Sequence, residues 1–72
     1  MDINSLLRRI KLNPFADYSN LPWRQEEALS AISQIIASGE ALSEGTIKLR
    51  ISKTTDVKNV VWSLWKRGVL IT

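Results

Sequence analysis

The segment Arg50–Leu70, RISKTTDVKNVVWSLWKRGVL, spaces Val57, Val60, Val61 and Leu64 as i, i+3, i+4 and i+7, the pattern of one buried helix face. Ser52 ahead of them is a good N-cap and Gly68 behind them a good stop. The spacing therefore predicts a helix over 53–67, followed by a β-type stub at 69–72. Turning about 100° per residue from Val57, the positions of Val61, Leu64 and Gly68 return to within about 40° of the buried centre. Trp65 then lies about 80° away, at the boundary, and Trp62 about 140° away, with Thr55, Lys58, Asn59 and Lys66. A bulky indole on an otherwise polar face needs a covering surface.

Upstream, ALSEGTIKLR predicts a short helix over 43–50, with Ser43 as N-cap and Ile47 and Leu49 as apolar anchors. Gly45 in its first turn weakens it by about 1 kcal/mol relative to alanine. A longer scaffold helix is expected over 22–38: Pro22 suits a first helical position, and Glu26 and Glu27 lie in the early turns, where the dipole favours anions. Its apolar stripe is Trp23, Ala28, Leu29, Ile32, Ile35 and Ile36, and Gly39 is placed to give a left-handed cap. At the start of the chain, Ile3, Leu6, Leu7 and Ile10 repeat the helical spacing, which predicts a helix over 1–12. Asp2 is its expected cap, Arg8, Arg9 and Lys11 suit its C-terminal end, and Asn13–Pro14 stop it. FADYSN reads as a loop that lays Phe15 and Tyr18 over the edge of the core.

Seventy-two residues fit one domain, 1–72, and a core of this size buries only about 60% of the surface its unfolded chain exposes. Hydrophobic residues at 44% and charged ones at 24% are ordinary for a globular chain, so a folded domain is expected. Cysteine and histidine are both absent, which removes disulfides, thiolate and imidazole metal sites, and the usual general base. The seven carboxylates are scattered, and Gly39, Gly45 and Gly68 are too far apart to cradle a phosphate. No catalytic residue, metal ligand, cofactor or small-molecule substrate is evident. With no signal-peptide pattern and no bilayer-length apolar run, a cytoplasmic location away from membranes is the default expectation.

The net charge of +3 is unevenly spread. Arg8, Arg9 and Lys11 against Asp2 give residues 1–11 a balance of +2. Arg24 against Asp17, Glu26, Glu27, Glu40 and Glu44 gives 12–45 a balance of −4. Lys48, Arg50, Lys53, Lys58, Lys66 and Arg67 against Asp56 give 46–72 a balance of +5. A polyanionic partner for the C-terminal third is the expectation that follows.

The order of helix, short helix, turn, amphipathic helix, glycine and β-type tail resembles the helix-turn-helix superfamily in its winged-helix variant. LRISKTTDVKNVVWSLWKRGVLI is similar to the pattern of many bacterial winged-helix regulators, with Leu49, Ile51, Ser52, Val57, Val61, Leu64, Gly68 and Leu70 in the matching places. The match covers about the last thirty residues. It departs in Arg50, where glycine often stands, in Gly45, where an apolar residue is common, and in a wing that is truncated or absent at Thr72. The fold implied is mostly all-α and winged-helix-like, with an extra N-terminal helix that closes the core in the wing's stead or forms a dimer face.

On this resemblance Lys53, Thr54, Thr55, Lys58 and Asn59 are the candidates at the helix end that approaches base edges. Asn59 has the geometry to pair with adenine, Lys58 to reach guanine, and Thr54 or Thr55 to bond phosphate or touch a thymine methyl. Backbone N–H groups after Ser52 add a phosphate site. Lys48, Arg50, Lys66 and Arg67 are candidate backbone contacts, salt-sensitive and non-specific. Trp65 is expected to pack on Leu6, Ile10 or Phe15. For Trp62 three readings stand: cover by the N-terminal helix or a second copy, contact with nucleic acid, or an anchor for another protein, the kind of role in which tryptophan is enriched. The leading expectation is a small protein that binds double-stranded DNA, as a transcriptional regulator or an accessory factor in recombination or replication, with a possible homodimer on paired half-sites. The alternative is a protein-interaction module that presents Trp62 and its basic face to an acidic partner.

Overall fold

A computed structural model describes residues 2–72 and contains four helices and one two-stranded sheet. In chain order they are α1 (Ile3–Leu7), β1 (Lys11–Leu12), α2 (Trp23–Ser38), α3 (Glu44–Lys48), α4 (Val57–Lys66) and β2 (Leu70–Ile71). About half of the chain is helical, and among the described residues no helix is long and apolar enough to cross a membrane.

α2 is the element on which α3 and α4 pack. It buries Ala28, Ala31, Ile32 and Ile35. Ile47 of α3 and Val57, Val60, Val61 and Leu64 of α4 close over them, and Ile3, Leu6 and Leu7 of α1 extend the same cluster. Each such aliphatic side chain, once buried, contributes about 1.5–3 kcal/mol of transfer free energy. α2 ends at Gly39, whose φ of 77° is the left-handed cap that an L-side chain adopts only with strain.

The N-terminal segment departs from the expected helix over 1–12. α1 closes after Leu7, where the Arg8 and Arg9 N–H groups donate to the Asn4 and Leu6 carbonyls. The Asp2 side chain makes no cap bond. Ile10 is buried without being helical, and Lys11–Leu12 pair antiparallel with Leu70–Ile71, in the register Lys11↔Ile71 and Leu12↔Leu70. Asn13 locks the arm in place: its N–H donates to the Val69 carbonyl at 2.9 Å and its side-chain amide to the Gly68 carbonyl at 2.8 Å. The spacing thus identified the buried set, and a strand pairing across the length of the chain took the last residues out of the helix.

α3 is shorter than 43–50. Ser43 caps it reciprocally: its hydroxyl accepts from the Thr46 N–H, and the Thr46 hydroxyl accepts from the Ser43 N–H. Leu49, expected as an anchor, is 85% exposed. It lies two residues, or about 200°, round from the buried Ile47. Tyr18 donates to the Asn13 carbonyl, while Phe15, expected over the core edge, is 94% exposed.

α4 begins at Val57 and not at Lys53. The residues between form a turn: the Ser52 N–H donates to Glu27 Oε1 at 2.8 Å, the Ser52 hydroxyl accepts from the Thr54 N–H, and the Thr55 N–H donates to the Ser52 carbonyl. Ser52 therefore holds a turn of its own, a competition with the helix that serine favours, and two β-branched threonines do not resist it. Asp56 is the cap, accepting from the Lys58 N–H at 3.1 Å. Gly68, at φ 82°, stops the helix, with the Gly68 N–H donating to Trp65 and the Val69 N–H to Leu64. Val69 and Leu64, both buried, complete this paired C-terminal cap.

Candidate nucleic-acid interface

Val57, Val60, Val61 and Leu64 turn inward, so α4 shows Lys58, Asn59 and Lys66 to solvent. Lys53 and Thr54 are exposed in the turn before it, as are Lys48 at the end of α3 and Arg67 at the cap of α4. Lys66 and Arg67 lie where the helix dipole favours cations. Arg50 is exposed but engaged: its Nη2 lies 2.6 Å from Glu40 Oε2. An ion pair this accessible contributes about 1 kcal/mol or less, so it competes only weakly with another anion.

Two members of the expected set are displaced. Thr55 is 8% exposed, and its hydroxyl accepts from Arg24 Nη1 at 2.8 Å, so that hydroxyl is engaged within the protein, at the wall of the groove that Thr55 lines with Thr54 and Asn59. The expected phosphate site on N–H groups after Ser52 does not form either, because the helix starts later and the carboxylate of Asp56 occupies its N-terminus.

Thr54 and Asn59 meet in a groove of about 430 Å³ between the first turn of α2 and the start of α4, lined also by Arg24, Gln25, Asp56 and Ser63. The Ser63 hydroxyl donates to the Asn59 carbonyl, which leaves the Asn59 amide free of that bond. Neither spacing nor composition marks Arg24. It is the one cation of the acidic middle of the sequence, and only the fold brings it to Thr54 and Thr55, 30 and 31 residues away. Its guanidinium carbon lies 4.5 Å from the centroid of the exposed Trp23 ring.

The tryptophans exchange the places the helical angles assign them. Trp62 is partly buried and packs against the core, while Trp65 is 40% exposed. Their rings meet edge to face, with centroids 5.5 Å apart, and line a cavity of about 260 Å³ with Leu6, Arg9 and Thr72. The N-terminal arm thus reaches the Trp62 side of α4 and brings Arg9 beside the indoles. The Asp17 carboxyl is held below its ordinary value, first by the Ser19 hydroxyl and N–H and then by the charge of Arg67.

Comparison with protein-family models, with curated proteins and with solved structures finds no match.

Proposed function

We propose that the protein binds double-stranded DNA, with α3 and α4 acting as a helix-turn-helix unit of winged-helix type and α4 as the helix that enters the major groove. One observation carries the reading: the start of α4 and the turn before it expose Lys53, Thr54, Lys58 and Asn59 while the opposite face of the helix is buried. That is the polarity a groove-reading helix needs, with short polar and cationic side chains at the end that approaches base edges. Lys48, Arg50, Lys66 and Arg67 act as backbone contacts. The protein works by occupancy, without chemistry, in the cytoplasm, as a regulator of transcription or an accessory factor of recombination or replication. Occupancy of paired half-sites by two copies suits so small a footprint.

The test is anisotropy of a labelled duplex with Lys58→Ala, Asn59→Ala and Trp65→Ala. Both polar variants are expected to weaken binding and the tryptophan variant to leave it nearly unchanged. Undiminished binding in both polar variants contradicts the assignment of α4.

A second reading has its own observation, the exposed Trp65 beside the cavity it shares with Trp62 and Arg9. An aromatic pair flanked by a cation suits an acidic protein partner. Capture of an acidic peptide that survives both Trp62→Ala and Trp65→Ala would remove that reading.

A further inference from the structure

We infer that Arg24 is a phosphate clamp for one strand of a DNA duplex, set on the α2 side of the groove that runs along the start of α4; the inference rests on the DNA-binding reading above. Arg24 lies on α2, outside the α3–α4 segment that supplies every other proposed contact, and its suitability comes from how it is held. Nη1 donates to the Thr55 hydroxyl at 2.8 Å and to the Thr54 hydroxyl at 3.1 Å, and the guanidinium carbon lies over the Trp23 ring, 4.5 Å from its centroid. Both hydroxyls are neutral acceptors, so the positive charge is oriented without being neutralised. Among the described residues the only ion pair is Arg50–Glu40, and no carboxylate lies within 4 Å of the Arg24 nitrogens. Asp56 borders the same groove, but its carboxylate accepts from the Lys58 N–H.

An arginine normally loses conformational freedom when it binds an anion, and here much of that cost is met in the free protein by three fixed contacts. Nη2 and Nε remain without a hydrogen-bond partner among the described residues, and a guanidinium edge with its donors free matches the oxygens of a phosphodiester. Arg24 lines the same groove as Thr54 and Asn59, so a phosphate held by it would set the register of the helix that reads the bases.

The experiment measures affinity for one mixed-sequence duplex as a function of salt, for the wild type, Arg24→Gln and Arg24→Lys, with thermal melting to show that each variant is folded. Each phosphate neutralised on duplex DNA contributes about 0.9 to the slope of log affinity against log salt. Arg24→Gln is expected to lower that slope by about one and to weaken binding about tenfold. Arg24→Lys is expected to restore the slope but only part of the affinity, since the charge returns without the fork. A slope unchanged in Arg24→Gln, with or without a loss of affinity, overturns the clamp and leaves DNA binding standing. Absence of duplex binding by the wild type at low salt overturns both.

Discussion

Arg24 donates to the hydroxyl of Thr55 across 31 residues of sequence, and this contact ties the first turn of α2 to the turn that launches α4. Because Thr55 is buried, removing its hydroxyl at nearly constant volume isolates the bond. Thr55→Val is expected to lower stability by about 1 kcal/mol, the net worth of a hydrogen bond from a charged donor that keeps Thr54 as a second acceptor. Urea denaturation measures it, and an unchanged midpoint would show that the bond does not restrain the fold.

The stops and starts of the helices give a paired test with opposite signs. Gly68 has a φ of 82° with nothing within 4 Å of a Cβ built on it, so Gly68→Ala meets backbone strain alone and is expected to cost about 1–2 kcal/mol. Gly45 is helical, and a Cβ there touches only the Ser43 hydroxyl at 3.8 Å. Gly45→Ala is expected to stabilise by about 0.5–1 kcal/mol. Thermal melts of the two variants should therefore move to either side of the wild type.

Asp56 places a negative charge on the groove proposed for DNA while it caps α4. Asparagine caps about as well as aspartate, so Asp56→Asn should leave stability within about 0.5 kcal/mol of the wild type. The same change is expected to tighten duplex binding several-fold at low salt, with the gain fading as salt is added. Weaker binding in a folded Asp56→Asn protein would place the DNA elsewhere.

Ser19 holds the Asp17 carboxyl below its ordinary value of 3.8, so folding favours the ionised form. The stabilisation is therefore present above that value and is lost as pH falls through the lowered, folded-state value. Melting temperatures of the wild type and Asp17→Asn are expected to differ near neutrality and to converge below pH 3.8. A difference that stays constant down to pH 2 would show that the Ser19 contact does not favour the ionised form.

The buried faces are legible in the sequence: Ile3, Leu6 and Leu7 and the set Val57, Val60, Val61 and Leu64 follow a helical period that survives folding, and Ile10 is buried though it lies outside the helix. The ends of the elements were less so. Ser52 is a good N-cap by type, yet Glu27, 25 residues away, takes its N–H and a local turn takes its hydroxyl. The expected helix at Lys11 and Leu12 gave way to a pairing with residues at the other end of the chain. Trp62 shows the limit of angular reasoning: its Cα direction points outward, but an indole is long, and the N-terminal arm supplies Leu6 and Arg9 within its reach. Arg24 carried no local signal, since its partners Thr54 and Thr55 become neighbours only when α4 packs on α2.

Tryptophan fluorescence of the wild-type protein during titration with mixed-sequence duplex DNA, at low and at physiological salt, decides whether the protein binds DNA. Trp23 stands against Arg24 on α2, and Trp62 and Trp65 lie on α4, so both helices that border the proposed groove carry an indole reporter. A saturable change that physiological salt suppresses is the expected result. No change and no binding at low salt, where even non-specific contact should register for this basic C-terminal third, would contradict DNA binding.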